Sequence, residues 1–503
     1  MASSRDQTQT GGRDASTGFI SGDYSLAVGM PETPTPDGWK WTKLTDVARL
    51  ESGHTPSRRH SEYWDDGDVC WIGIRDATAN HGQTLEDTNQ HATQLGIDNS
   101  SARILPKDTV CLSRTASVGY VVVMGKPMAT SQDFVNWVCS DKLNHQFLKY
   151  ILLSENRSFL RFASGTTHQT IYFPEVKAFH ISLPPLPEQK AIAHILGSLD
   201  DKIELNRKMN ATLEAMAQAL FKSWFVDFDP VIDNVLRKNL AKHPSPSLSQ
   251  GERDLAGPSP SGRSGDEGAL QNTIFNGIPE ELLARAEIRR QAIASGTANE
   301  AAAKDFPSAF QETEAMGWIP EGWEVKPIEK CIQRFPAGKK YASKTAKESG
   351  AVPILDQGKS GLIGFHNDEP GVRASPHDPI IVFANHTCYM RLIMFDFSAI
   401  QNVLPFKGDG LNIFWLFEAT KGRQQFNEYK GHWPDFVIKK LVVPTLPLVS
   451  IFGEIAEANH RKIYANELEN QALSKLRDTL LPKLIAGEVR IPTAETLTCD
   501  LPI

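Results

Sequence analysis

LPPLPEQKAIAHILGSLDDKIELNRKMNATLEAMAQALFKSWFVDF, residues 183–228, decides the fold, because it returns in altered form as VVPTLPLVSIFGEIAEANHRKIYANELENQALSKLRDTLLPKLIAGE at residues 442–488. The displacement is a constant 260 positions, from Pro187 to Pro447 and from Ile203 to Ile463. Each copy leaves a proline-rich strand exit and continues with a helical pattern, and a duplicated long helix indicates a two-fold plan. In the first copy Ile192, Leu196, Leu199, Ile203, Asn206, Asn210, Leu213, Ala217, Leu220 and Trp224 follow steps of four and three, the spacing of a coiled-coil seam. The matching positions of the second copy are Phe452, Ala456, Asn459, Ile463, Asn466, Asn470, Leu473, Arg477, Leu480 and Leu484. Most of the seam survives, and Asn206/Asn466 and Asn210/Asn470 coincide. A seam Asn weakens apolar packing but penalises any register that leaves its amide unpaired, so these positions predict a fixed alignment. Leu199, Ile203, Leu213 and Leu220, with Ile463, Leu473 and Leu480, are the apolar residues expected to pair around them. At ~1.5 Å per residue, each helix of some 40 residues would span roughly 60 Å, enough to separate two domains.

Composition sets the bounds around that element. A chain of 503 residues exceeds the usual single-core size, so several domains are expected. Hydrophobic content of 40% with a mean hydropathy of −0.32 describes a soluble globular protein. No run approaches the length of a membrane span, and the opening MASSRDQTQTGGRDASTG has no apolar core for a signal peptide, so the expected location is the cytoplasm. The six cysteines, Cys70, Cys111, Cys139, Cys331, Cys388 and Cys499, form no CxxC pair, and the lone His386 beside Cys388 has no second pair. Neither a structural metal nor a disulfide framework is expected. A formal charge of −7 argues against a simple basic DNA-coating protein. Residues 318–441 are nevertheless slightly basic, whereas 39–183 are near neutral.

Read along its length, the chain divides into a polar segment at 1–36 expected to be disordered or loosely attached, a first mixed block at 37–186, the first long helix at 187–229, a linker with a low-complexity insertion at 230–317, a second mixed block at 318–446, the second long helix at 447–490 and a tail at 491–503. Gly38-Trp39 in TPDGWKWTKL matches Gly322-Trp323 in IPEGWEVKPI, so the blocks look repeated as well. Both mix β-type runs, such as Tyr120-Val-Val-Val123 and Ile380-Ile-Val-Phe383, with turn signals and a few helices, one expected from Asn144 to Ala163. HPSPSLSQGERDLAGPSPSGRSGDEGA, from His243 to Ala269, has the Ser/Pro/Gly composition of a flexible linker, with a charged helical stretch to follow at Glu280 to Ser295.

The search for a catalytic motif returns nothing. Gly358-Lys359-Ser360 resembles the end of a phosphate-binding loop, but Pro353 stands where that motif needs glycine; HExxH, GxSxG and GxGxxG are missing, and Pro434-Asp435 lacks the acidic-x-Lys partner of a metal-dependent nuclease. What remains is polar recognition chemistry on loops. The first block offers Arg75, then Ser113, Arg114, Thr115 and Ser117 in LSRTASVG, then Gln132, then Thr166, Thr167, His168 and Gln169. The second offers Gln357, Lys359, Asn385, His386, Arg391 and Lys430, with Gln401 and His432 beside them, and replaces GTTHQ with YKGHWPDF. Arg can take guanine bidentately, Gln can do so for adenine, and Ser/Thr hydroxyls suit base edges or phosphates. A lone loop Arg is more often a surface salt-bridge former, so each residue alone carries little; two blocks of like plan and different loops fit two different short sequences.

At this point the chain resembles a known family, the specificity subunit of type I restriction–modification systems. The likeness is carried by LPPLPEQKAIAHILGSLDDKIELNRKMN, AMAQALFKSWFVDFDP and the terminal LSKLRDTLLPKLIAGEVRI, and also by SGHTPSRRHSEYW, LSRTASVG, FPSAFQETEAMGWIPEGW and DQGKSGLIGF, from about Thr35 to Ile491. The resemblance implies an α/β (α+β) fold with two target-recognition domains separated by two long helices pairing as an antiparallel coiled coil. Each domain would read one half of a split sequence in double-stranded DNA, with the helices as a spacer ruler. It also implies two methyltransferase subunits and two restriction/translocase subunits as partners. S-adenosylmethionine, ATP and Mg would be bound by those partners and no cofactor by this chain, which would itself be non-catalytic. Two departures from the family stand out: the Ser/Pro/Gly stretch at about His243 to Ala269 looks like a low-complexity insertion, and in the second helix Pro-Glu-Gln-Lys of the first copy becomes Pro-Leu-Val-Ser while Arg477 enters the seam where Ala217 stood. A coiled-coil scaffold that binds proteins without DNA specificity is the alternative from another class.

Overall fold

The long-helix pattern becomes two helices of 40 residues each, Leu186–Phe225 and Leu446–Ile485. Pro187 and Pro447 sit in the first turns, where a missing N–H costs no intrahelical bond. The second helix closes on Gly487, whose φ of 69° suits glycine, after Ala486 N and Glu488 N have bonded the Pro482 and Lys483 carbonyls. A side chain there would also strike Pro36, since an added Cβ would lie 2.6 Å from its Cγ.

The computed structural model describes residues 19–115, 117–165, 169–242, 273–358 and 361–491, and these fall into two units. The first joins the N-terminal part through Leu205 with the segment beginning at Glu469; the second runs from Asn206 to Leu468. Each unit therefore contains part of both long helices. In the first, Leu196, Leu199, Leu480 and Leu484 share one core, Arg477 Nη1 meets Asp200 Oδ1 at 2.8 Å, and Lys202 lies 3.4 Å from Glu469. In the second, the Phe221, Trp224 and Phe225 rings surround Phe452 at 5.3–6.1 Å, and Asn466 Nδ2 donates to Asn210 Oδ1 at 2.8 Å. Residue numbers rise on one helix as they fall on the other, so the helices run antiparallel within each unit. Of the expected seam, Leu199, Ile203, Asn206, Ile463, Asn466 and Leu480 are buried, and Asn210, Leu213, Leu220, Asn470 and Leu473 are half-buried. Arg477 replaces an apolar contact with an interhelical ion pair.

Each unit carries its own sheets, in a shared plan. The first has a five-stranded sheet in the order Ala48–Ser52, Phe134–Cys139, Val110–Ser113, Val121–Met124, Thr84–Leu85; the second has Ile332–Arg334, Val403–Gly408, Ile380–Ala384, Met390–Ile393. Val121–Met124 and Ile380–Ala384 are β-branched or apolar runs buried at every position, as central strands require. A parallel pair, Val69–Ile72 with Ala129–Thr130, recurs as Val352–Leu355 with Ser398–Ile400. An antiparallel pair, Lys40–Lys43 with Phe179–Leu183, recurs as Glu324–Pro327 with Lys440–Val443. The domain helices His145–Ser154 and Ile413–Thr420 each begin at an Asn whose side chain accepts from a first-turn amide.

Three expectations change. The segment at 1–36, expected to be disordered or loosely attached, contains strands Ile20–Ser21 and Leu26–Val28, the latter paired with Phe179–Leu183. The helix expected from Asn144 to Ala163 divides at Glu155 into His145–Ser154 and Asn156–Phe162. The two departures have one cause. The fully buried Glu155 carboxylate accepts from the Asp23, Tyr24, Ser25 and Leu26 amides at 2.6–3.2 Å, a contact across about 130 residues that no local pattern reveals. The linker at 230–317 also contains packed structure: Asp229–Lys242 lies against Leu283–Ala294 through paired bonds from Arg285 to Asp229 and from Arg289 to Asp233. The low-complexity stretch at 243–269 lies outside the described residues.

Glu155→Ala should cost about 3–5 kcal/mol, because it strands several buried amides at once. Chemical denaturation measures that loss, and amide exchange should show protection vanishing at residues 20–28; protection retained there would contradict the assignment.

Candidate nucleic-acid interface

In the first unit the candidate loops are woven together by backbone bonds. Arg114 N donates to the Asp133 carbonyl at 2.7 Å, Ile171 N to the Arg114 carbonyl at 2.9 Å, and Thr115 bridges Thr170. The Arg114 guanidinium donates to the Gln132 carbonyl at 3.1 Å and lies over the Phe173 ring at 4.8 Å. Burial pushes its pKa down, yet a guanidinium stays charged throughout the working range. Arg114 is thus a clamp between loops. Ser113 is fully buried, and its hydroxyl donates to the Ser117 carbonyl while accepting from Tyr120 N. That arrangement holds the turn and corrects the expectation of Ser113 as a base-facing hydroxyl. Ser117 is half-buried in the same turn, and its amide donates to Thr115 O at 2.7 Å. Arg75, Gln132 and Gln169 are exposed. Thr166, Thr167 and His168 lie outside the described residues.

A second cluster adjoins this one through a bond from Thr55 Oγ1 to Gln132 Oε1. Arg58, exposed, stacks its guanidinium 3.4 Å from the Trp64 ring centroid and 5.0 Å from that of Trp71, and donates to Gln90 Oε1 at 2.7 Å. Trp71 Nε1 donates to the His54 carbonyl at 3.2 Å. A cation held over aromatic faces is oriented in advance, so it loses little rotamer freedom on meeting a phosphate or a guanine edge. The candidate residues did not include Arg58, although Arg58-Arg59 flanked by His54, His60, Tyr63 and Trp64 is a visible basic-aromatic cluster.

The second unit gathers its candidates at one loop cluster. Gln357 Oε1 accepts from His386 N at 3.0 Å, Asn385 Oδ1 accepts from Trp433 N at 2.8 Å, and Arg391 donates to the Gly361 and Asp356 carbonyls at 2.9 and 3.2 Å. Burial pushes the Arg391 pKa down. His386 Nδ1 donates to the Lys430 carbonyl at 2.9 Å and Nε2 accepts from Asn402 Nδ2 at 2.8 Å, an arrangement met by the neutral ring. Tyr429, 84% exposed, lies flat on that ring with centroids 5.0 Å apart. So open an aromatic face on so well-bonded a pedestal is held ready for contact at little cost in rotamer freedom. Lys430 is paired with Glu428 and Asp435 at 3.0 and 3.2 Å. Gln401 is exposed; His432 is fully buried and packs inside the loop, which removes it from the candidates. Lys359 lies outside the described residues. Tyr429 was missed because YKGHWPDF reads as a loop without showing which side chain faces out.

Residues 36–215 match the model of the type I restriction modification DNA specificity domain. The chain is 24% identical over 490 residues to the type I restriction enzyme MjaIX specificity subunit of Methanocaldococcus jannaschii, covering 91% of this chain and 94% of that protein. It is 26% identical over 418 residues to the HindI specificity subunit of Haemophilus influenzae, covering 73% and 84%. A crystal structure of a type I restriction-modification S subunit from M. genitalium aligns with 90% of this chain and 98% of that one, at 15% identity and a TM-score of 0.48. Among the described residues no helix is long and apolar enough to cross a membrane.

Arg58→Ala and Tyr429→Ala should each weaken binding to a recognised duplex by about 1–3 kcal/mol, 5- to 150-fold, through lost groove contacts, with thermal unfolding little changed. Binding isotherms at fixed salt measure this; unchanged affinity in both variants would make the two side chains ornaments of packing.

Proposed function

We propose that this chain, which carries a type I restriction modification DNA specificity domain at residues 36–215, is the sequence-reading subunit of a type I restriction–modification complex. The observation that carries the reading is a repeated plan with unrepeated loops. Both units share strand order, an Asn-capped domain helix and a share of the paired long helices, yet one presents Arg58 on tryptophans and the other Tyr429 on a histidine. Shared scaffolding with different contact chemistry suits two different half-sites of one split target.

In this reading the chain is non-catalytic and its partners are double-stranded DNA, two methyltransferase subunits and two restriction/translocase subunits. S-adenosylmethionine serves adenine methylation, and ATP and Mg serve cleavage, all on the partners, and the complex works in the cytoplasm. The chain's formal charge of −7 supplies no general attraction to a polyanion. Recognition then rests on placed side chains such as Arg58 and Arg75, and on basic surface contributed by the assembled complex.

Co-expression with its methyltransferase in a host free of adenine methylation should yield a split motif with a fixed gap, mapped across the genome. A stable complex that adds no methylation would instead support a protein-binding scaffold. The long helices set the gap: deleting two turns, about seven residues, from each removes roughly 10 Å and should shorten the unspecified spacer by about three base pairs. An unchanged spacer in an active variant would remove the ruler from the account.

A further inference from the structure

The strand pair Val69–Ile72 and Gln90–Ala92 places Cys70 directly opposite His91. In an antiparallel pair, opposed residues project to the same face, with Cβ atoms about 4.5–5.5 Å apart. Asp87 joins them from the preceding loop: His91 Nε2 is 2.8 Å from its Oδ1, and Cys70 Sγ is 3.1 Å from the same oxygen. One sulfur, one imidazole nitrogen and one carboxylate oxygen thus lie within 4.8 Å of one another. No local spacing announces the group, because its members come from two strands and a loop and are joined by register.

We propose that Cys70, Asp87 and His91 form a three-donor site for a thiophilic divalent cation of the zinc class. These are donor types zinc accepts, at bond lengths of about 2.0–2.3 Å, which set neighbouring donor atoms roughly 3.3–3.5 Å apart in a tetrahedron. The two hydrogen-bonded separations, 2.8 and 3.1 Å, would open by about half an ångström, and Cys70 Sγ and His91 Nε2, which lie within 4.8 Å of each other, would draw toward the same spacing. The Asp87 side chain is largely open to solvent, which gives an ion a way in and leaves water the fourth position. Binding replaces two hydrogens: the thiol releases its proton to solvent, and the imidazole turns its Nε2 lone pair to the ion with its proton on Nδ1. Lys126 Nζ, 3.6 Å from Asp87 Oδ1, is the cation already present, and it must swing aside on its exposed stem.

The site has a structural consequence. Gln90, next to His91, is the acceptor that steadies Arg58, and Trp71, next to Cys70, lies beneath the same guanidinium. An ion joining the two strands would stiffen the pair that presents Arg58. The proposal itself stands on strand register and donor chemistry, independently of what the chain reads.

The test is cobalt titration of the purified full-length chain after chelator treatment. One Co2+ per chain should bind, with thiolate-to-metal charge transfer in the near ultraviolet and visible bands of tetrahedral intensity, and Zn2+ should displace it stoichiometrically. Cys70→Ser and His91→Ala should each weaken binding at least about 10-fold, while Lys126→Met, which removes the competing cation, should keep or raise the affinity. Circular dichroism shows whether each variant is folded. Absence of saturable uptake by the native chain overturns the proposal, and so does uptake undiminished in Cys70→Ser and His91→Ala.

Discussion

Two long helices, each with an apolar stripe too extended for one domain core to cover, impose the constraint on which the rest depends. The chain meets it by making the helix twice and packing the copies antiparallel. In one unit Leu196 and Leu199 pack with Leu480 and Leu484; in the other, Phe221, Trp224 and Phe225 enclose Phe452. The Asn210–Asn466 bond then discriminates between registers, since a slip by one turn would leave two amides unpaired in an apolar seam. Each helix also anchors a domain at equivalent positions, 260 apart. Asp200 accepts from the Tyr150 hydroxyl at 2.7 Å, and His460 meets Glu418 at 2.9 Å, with Tyr150 and Glu418 both on Asn-capped domain helices. The anchoring position is retained while its chemistry is exchanged.

Scaffold and loops consequently answer to different demands. The buried strands, the capped helices and the seam are set by packing, where a change of one methylene is felt. The loops are set by what they touch. Arg114 holds three loop segments together in the first unit, and Gln357, Asn385 and Arg391 do comparable work in the second, mostly through backbone carbonyls and amides. Such internal ties preorganise a surface while Arg58, Arg75 and Tyr429 stay exposed on it.

Sequence pattern exposed the features that are periodic or repeated: the seam steps of three and four, the coincident asparagines, the tryptophans Trp39 and Trp323, and the strand runs at Tyr120 to Val123 and Ile380 to Phe383. It did not expose features created by contacts between distant segments. Glu155 binds amides about 130 residues away, so both the N-terminal strands and the helix break were hidden. Asp229 and Asp233 become helix-pairing residues only when Arg285 and Arg289 arrive. Among the loop candidates, residue type was legible and direction was not. Ser113 and Arg114 turn inward to hold their turn, whereas Arg58 and Tyr429 face out on aromatic supports.

The central claim is that the two blocks read independently, each through its own loops on a shared frame. The most direct measurement exchanges residues 19–186, which keeps the strand at Leu26–Val28 with its partner Phe179–Leu183, for the matching domain of a specificity subunit with a different known target, then maps methylated adenines. The account predicts that one half of the motif changes while the other half and the gap between them stay the same. A change in both halves, or in the gap alone, would contradict it.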